Sequence, residues 1–212
     1  MLKKALITGL LVGMSSVAMA GPWTVKAGVS LLNPTAESDL VGGAVKDAKA
    51  TNEFNFTPSV EYRFGETPFS VELLLAAPFN QDVKMAGGTK IAELKHLPPT
   101  LTAKYNFPTY HGFTPYVGAG VTVLIPWDEK LTSAAKGALG LTDANKLEAD
   151  TSVGAAGQIG FVFQPADAKN WGVFADVRYA DLDTDLKVKG VGNIGTLDIN
   201  PLVYTLGYSY NF

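Results

Sequence analysis

Residues 54–64 read FNFTPSVEYRF, with an apolar side chain at every second position. A period of two puts Phe54, Phe56, Pro58, Val60, Tyr62 and Phe64 on one face of a strand and Asn55, Thr57, Ser59, Glu61 and Arg63 on the other. Similar alternation recurs along the chain. It predicts eight strands, near residues 23–33, 52–64, 69–77, 96–107, 113–125, 151–163, 171–187 and 199–212.

The connections carry as much information as the strands. Residues 65–68, 108–112 and 164–170 are short links with Pro or Gly, whereas 34–51, 78–95, 126–150 and 188–198 are longer. Long and short alternate without exception. In an up-and-down barrel every second link lies at the same end. Short periplasmic turns and long outer loops are the arrangement of outer-membrane barrels. The expected fold is therefore all-β: an eight-stranded antiparallel up-and-down transmembrane β-barrel with both chain ends on the periplasmic side. The Ala, Leu and Lys content of residues 129–147 allows a short helix in the third outer loop, weakened by Gly137 and Gly140.

Which face meets lipid follows from what each face carries. The polar faces hold Lys26, Glu61, Arg63, Glu72, Lys104, Gln158, Asp176 and Arg178, mixed in sign and so able to pair. The apolar faces hold Trp23, Tyr62, Phe64, Phe69, Tyr105, Phe107, Phe113, Phe161, Phe163, Trp171, Tyr208 and Tyr210, nearly all near the short turns. Rings at one level form an interfacial girdle, whereas a soluble ligand-binding barrel would place them mid-cavity. The apolar face is thus expected to point outward, into lipid. The chain stops at Phe212 after alternating aromatics, a terminal signal of the kind read by barrel-insertion machinery.

Composition then sets the compartment. Residues 1–20 carry Lys3 and Lys4, an apolar run and a closing Ala18-Met19-Ala20, the layout of a cleaved secretory signal peptide. Residues 21–212 are then the mature barrel, placed in the bacterial outer membrane against lipid and lipopolysaccharide. Loss of the leader's two lysines takes the formal net charge from −3 to −5, which is not a nucleic-acid binder's balance. The absence of Cys excludes thiolate and disulfide chemistry.

An eight-stranded barrel has an interior that side chains can fill. Lys26, Glu61, Arg63, Glu72, Lys104, Asp176 and Arg178 fall mostly in the periplasmic halves of their strands, where a paired network would floor the barrel. The outer half turns Leu32, Leu74, Ala76, Leu124 and Val203 inward, with Trp127 at the mouth. That lining predicts an apolar pocket open to the outside, which admits a small hydrophobic solute and blocks its straight path. The remaining exit is sideways. Proline donates no ladder hydrogen bond, so Pro58, Pro78, Pro98, Pro99 and Pro201 are candidates for holding open a lateral gap or, alternatively, mark strand ends.

Several stretches resemble the OmpW/AlkL family: KAGVSLLNP at residues 26–34, ELLLAAPF at 72–79 followed by HLPPTL at 96–101, PYVGAGVT at 115–122 and DINPLVYTLGYSYNF at 198–212. The resemblance covers essentially the whole mature chain. It implies an outer-membrane barrel with a hydrophobic interior and passive uptake of small hydrophobic molecules, with lateral release proposed for the family. One departure is VTVLIPW at residues 121–127, where the family often carries an Asn-Tyr-Thr-x-Phe-Phe-like run. Pocket shape near Leu124 and Trp127, and substrate range, are therefore not carried over.

Other chemistry finds little footing. His96 and His111 have no neighbouring partner in the pattern, so no catalytic residue, metal or cofactor is expected. GVGNIG at residues 190–195 fits G-x-G-x-x-G but lies in no βαβ unit. Asp181, Asp183 and Asp185 share a face and read as a solvated strand end or, alternatively, as ligands for a divalent cation or a contact for cation-bridged lipopolysaccharide. Three alternatives stay open: a structural or adhesive barrel with a packed interior, a lipid-modifying enzyme with a site centred on His96 at the outer rim, and a narrow channel for small polar solutes.

Overall fold

A computed structural model describes residues 22–212; the expected leader lies outside the described residues. Eight strands close into one barrel: β1 (Trp23–Pro34), β4 (Glu53–Arg63), β5 (Phe69–Leu74), β8 (Thr100–Asn106), β9 (Phe113–Leu131), β11 (Ser152–Phe163), β12 (Trp171–Ala180) and β15 (Pro201–Asn211). Each pairs antiparallel with the next, and β15 returns to β1. Closure gives every barrel strand a neighbour on both sides.

The burial pattern is inverted relative to a soluble protein. Lys26, Glu72 and Lys104 are buried, while Phe54 and Leu206 are 71% and 62% exposed. Charges inside and apolar side chains outside are what a lipid solvent selects. At the periplasmic end the rings pair around the rim: Trp23 with Tyr62, Phe69 with Tyr105, Phe113 with Phe161 and Trp171 with Tyr208, at centroid separations of 4.7, 5.5, 4.8 and 6.4 Å.

The long outer connections are not loose loops. They fold into β2 (Ser38–Leu40), β3 (Val45–Ala50), β6 (Phe79–Lys84) and β7 (Lys90–Leu97), which extend the sheet from the outer half of β9. A second small sheet joins β10 (Leu147–Ala149), β13 (Asp183–Val188) and β14 (Gly192–Asp198). The third connection carries the short helix α1 (Ser133–Ala138), whose Thr132 side chain accepts from the Ala135 N–H. Leu40, Ala48, Val83, Ile91, Leu147, Leu186 and Leu197 bind these pieces into one apolar cluster above the barrel.

Two expected strands are broken. The run at 96–107 is interrupted at Pro98 and Pro99, which place His96 in β7 and leave β8 to start at Thr100. The run at 171–187 is interrupted at Asp181 and Leu182, so that β12 ends in the barrel and β13 begins in the outer sheet. The Leu182 carbonyl accepts from both Ile199 and Asn200, which ties that corner to the start of β15.

Candidate functional site

Across the lower barrel lies a closed ionic floor. Lys26 Nζ sits 2.6 Å from Glu61 and 3.2 Å from Glu72, and Lys104 Nζ sits 2.7 and 3.0 Å from the same two carboxylates. Arg178 bridges Glu72 at 2.9 Å and Asp176 at 3.0 Å. Ser59 donates to Glu72, Ser70 to Glu61 and Tyr116 to Asp176. Lys104 Nζ also stands 3.8 Å from the Tyr116 ring centroid. Gly160 makes this possible: a Cβ there would lie 2.7 Å from the Tyr116 hydroxyl. Three cations face three anions, so the buried group is formally neutral. A buried ionic group is tolerated only with such geometry and with its remaining lone pairs satisfied.

Arg63 is not in this network. It is exposed near the end of β4 and lines a periplasmic bowl of about 490 Å³ beneath the floor. Its alternation phase matches Glu61, but at the rim an inward phase meets water instead of other side chains.

Above the floor the interior becomes apolar. Leu32, Leu74, Ala76, Leu124 and Val203 line one inner cavity together with Phe79, His96, Pro98 and Pro201. Its volume is about 40 Å³, room for a few water-sized groups. Higher still, a second apolar chamber of about 380 Å³ is walled by Leu40, Val83, Ile91, Leu131, Leu147 and Leu186, which come from all four outer connections. The two chambers share no lining residue, so the interior is divided rather than one pocket open to the outside. Trp127 lines neither chamber. It is half-buried on β9 opposite Lys95, while the buried Pro126 takes the inward place beside it. At that outer rim, hydrogen bonds from Lys95 and Lys130 hold the Asp128 carboxyl below its ordinary range.

The wall beside the inner cavity is incomplete. The β5–β8 ladder runs up to Leu74 opposite Thr100 and stops. Pairing resumes at Phe79 opposite His96, in the β6–β7 hairpin. Between these rungs, among the described residues, no backbone hydrogen bond joins residues 75–78 to 97–99. The reason lies in the phase. Asn106 N–H donates to Pro68 O, so even-numbered residues of the two strands face each other, and the rung after Leu74–Thr100 needs a Pro98 N–H that does not exist. The other edge of β8 holds: Val123 N–H donates to Pro99 O at 3.0 Å. Leu74, Ala76, Phe79, His96, Pro98 and Thr100 all border this window and all line the inner cavity.

The neighbouring β4–β5 seam also lacks a backbone donor at this level, at Pro58, but is mended. Leu75 and Ala77 donate to Pro58 O and Phe56 O, both at 2.8 Å. Pro58 returns nothing. Phe56 N–H turns to Asn55 Oδ1 at 2.8 Å, and Asn55 Nδ2 donates to Ala77 O and Pro78 O at 3.1 and 2.8 Å. The Asn55 amide is spliced into the ladder where backbone donors fail.

The five candidate prolines therefore do not gather on one seam. Pro98 interrupts β5–β8; Pro58 and Pro78 adjoin the spliced β4–β5 seam; Pro99 remains an acceptor for β9; Pro201 pairs with Pro34 at the far side. The roles of Asn55, Phe79 and His96 at these seams escaped the sequence reading, since they depend on cross-strand register. Phe79 and His96 stack at 5.6 Å across the top of the window.

Comparison with known proteins gives a consistent result. A family model described as the OmpW family matches residues 19–212. The chain is 32% identical over 200 residues to outer membrane protein W of Vibrio cholerae, covering 91% of this chain and 89% of that one. It is 31% identical over 209 residues to outer membrane protein W of Escherichia coli, covering 97% and 95%. Among solved structures it matches the outer membrane protein OprG of Pseudomonas aeruginosa with a TM-score of 0.77 at 31% identity, covering 91% of this chain and 96% of that one.

Proposed function

The chain belongs to the OmpW family of outer-membrane barrels, and from that premise we propose that it is a passive channel for small hydrophobic molecules, with release sideways into the membrane. The solute enters through the apolar outer chamber, passes Phe79 and His96 into the inner cavity, and leaves between β5 and β8. No energy source or cofactor takes part. Outer-membrane lipid receives the solute.

The observation that carries this reading is the pairing of a sealed floor with an unladdered window at the same cavity. Polar solutes meet a neutral, ion-paired network and stop. An apolar solute meets an apolar wall with a rung missing at Pro98. Passage requires the lining side chains to part, since the inner cavity holds only about 40 Å³. That small volume also favours a second reading, a structural or adhesive barrel whose outer sheets are its contact surface.

Uptake separates them. Cells expressing the protein and cells lacking it are given octane and, separately, a polar solute of similar size. Faster entry of octane alone supports the channel. Faster entry of the polar solute alone contradicts the sealed floor, and no change for either favours the structural barrel.

A further inference from the structure

The inner cavity is not apolar throughout. Gln158 on β11 lies directly opposite Arg178 on β12, and both line its lower end. Each is about 6% exposed. Arg178 spends Nε and one terminal nitrogen on Asp176 and Glu72, but its Nη1 has no hydrogen-bond partner. Neither Nε2 nor Oε1 of Gln158 has one. Gly118, opposite Gln158 on β9, gives the amide its room: a Cβ there would lie 3.0 Å from Gln158 Nε2. Buried polar atoms are nearly always paired, so three orphans on adjacent side chains at one cavity end mark a place for a hydrogen-bonding guest.

The chemistry of the ligand follows from the inventory. The orphans are two donors, Arg178 Nη1 and Gln158 Nε2, and one acceptor, Gln158 Oε1. A hydroxyl offers one donor and two acceptor lone pairs, which is the complementary set. A carboxylate offers no donor. It would also add a net charge to a floor whose three cations and three anions already balance, and an uncompensated buried charge is costly. An alkane leaves all three atoms unpaired.

We propose that Gln158 and Arg178 form a binding site for the uncharged hydroxyl head of a straight-chain amphiphile, a primary alcohol being the simplest. The head occupies the lower end of the cavity, and the chain runs past Ala76 and Pro98 into the window. A cavity of about 40 Å³ suits such a head, with the chain leaving through the wall. This rests on the lateral path proposed above and adds, among hydrophobic solutes, a preference for one with a hydrogen-bonding end.

The test is a titration of the full-length mature barrel in detergent micelles with octan-1-ol, octane and sodium octanoate, reading the side-chain ¹⁵N–¹H signals of Gln158 and Arg178. The result expected is a saturable shift of both signals with octan-1-ol, none with octane, and binding of octanoate weaker by about tenfold. In Gln158→Leu, with folding checked by heat-modifiable migration, the Arg178 shift is lost, and in cells the ratio of octan-1-ol to octane uptake falls. No shift with octan-1-ol, an equal or stronger response to octanoate, or an Arg178 shift that persists in Gln158→Leu would each overturn the site. Octane entry without octan-1-ol binding would refute the head site and leave the channel standing. Binding of octan-1-ol without entry of either solute would do the reverse.

Discussion

The two halves of the barrel interior solve opposite problems with different residues. In the lower half, charge closes the path: Glu61, Glu72 and Asp176 are matched by Lys26, Lys104 and Arg178, and the flanking ladders are continuous. In the upper half, the lining is apolar and the wall itself is interrupted at Pro98, patched at Asn55 and resumed at Phe79–His96. Under the proposed function, a barrel too narrow for an open pore conducts sideways: neutralised charge blocks the axis, and the wall lacks a backbone donor at Pro98.

The sharpest way to break the contrast is at Glu72, which touches Lys26, Lys104, Arg178 and Ser59 at once. Glu72→Leu leaves three cations around an apolar side chain. It is expected to lower stability by about 3–5 kcal/mol, read by urea unfolding in lipid vesicles. Asn55→Leu removes the splice from the β4–β5 seam and strands the Phe56 N–H and the Ala77 and Pro78 carbonyls. The expected loss is about 1–3 kcal/mol in the same assay, with faster hydrogen exchange at Ala77. Pro98→Val moves the other way: it returns one donor toward Ala76 O. A gain of about 0.5–1.5 kcal/mol is expected, together with slower amide exchange at the new rung. Arg63→Ala, at the exposed rim, should stay within about 0.5 kcal/mol of the parent, which would separate it from the floor residues it resembles in sequence.

Much of the lower half was legible in the sequence, because a strict period of two in residues 54–64 and in β8 states which side chains share a face. The inward phase of Lys26, Glu61, Glu72, Lys104, Asp176 and Arg178 brings them together once the barrel closes. Arg63 shares that phase but sits where the wall ends, and phase alone does not report depth. Trp127 missed the inward place by plain alternation: Thr122, Leu124 and Pro126 are buried positions of β9, so the phase that turns Leu124 in turns Trp127 out. The outer sheets were hidden for a different reason. Their strands are short, and irregularities at Val83/Lys84 and Leu186/Lys187 break the alternation on which sequence reading depends. Asn55 read as an ordinary inward polar residue. Its role appears only when Phe56 is seen opposite Ala77, a long-range register that no local pattern encodes.

The central claim is that solute leaves through the wall at the missing Pro98 rung. Its most direct test is the rate of octane uptake by cells carrying the parent chain or Pro98→Val at equal outer-membrane abundance. The account predicts that the variant falls toward the rate of cells lacking the protein, while its folded fraction is undiminished. Unchanged uptake in a well-folded Pro98→Val barrel would contradict the lateral exit.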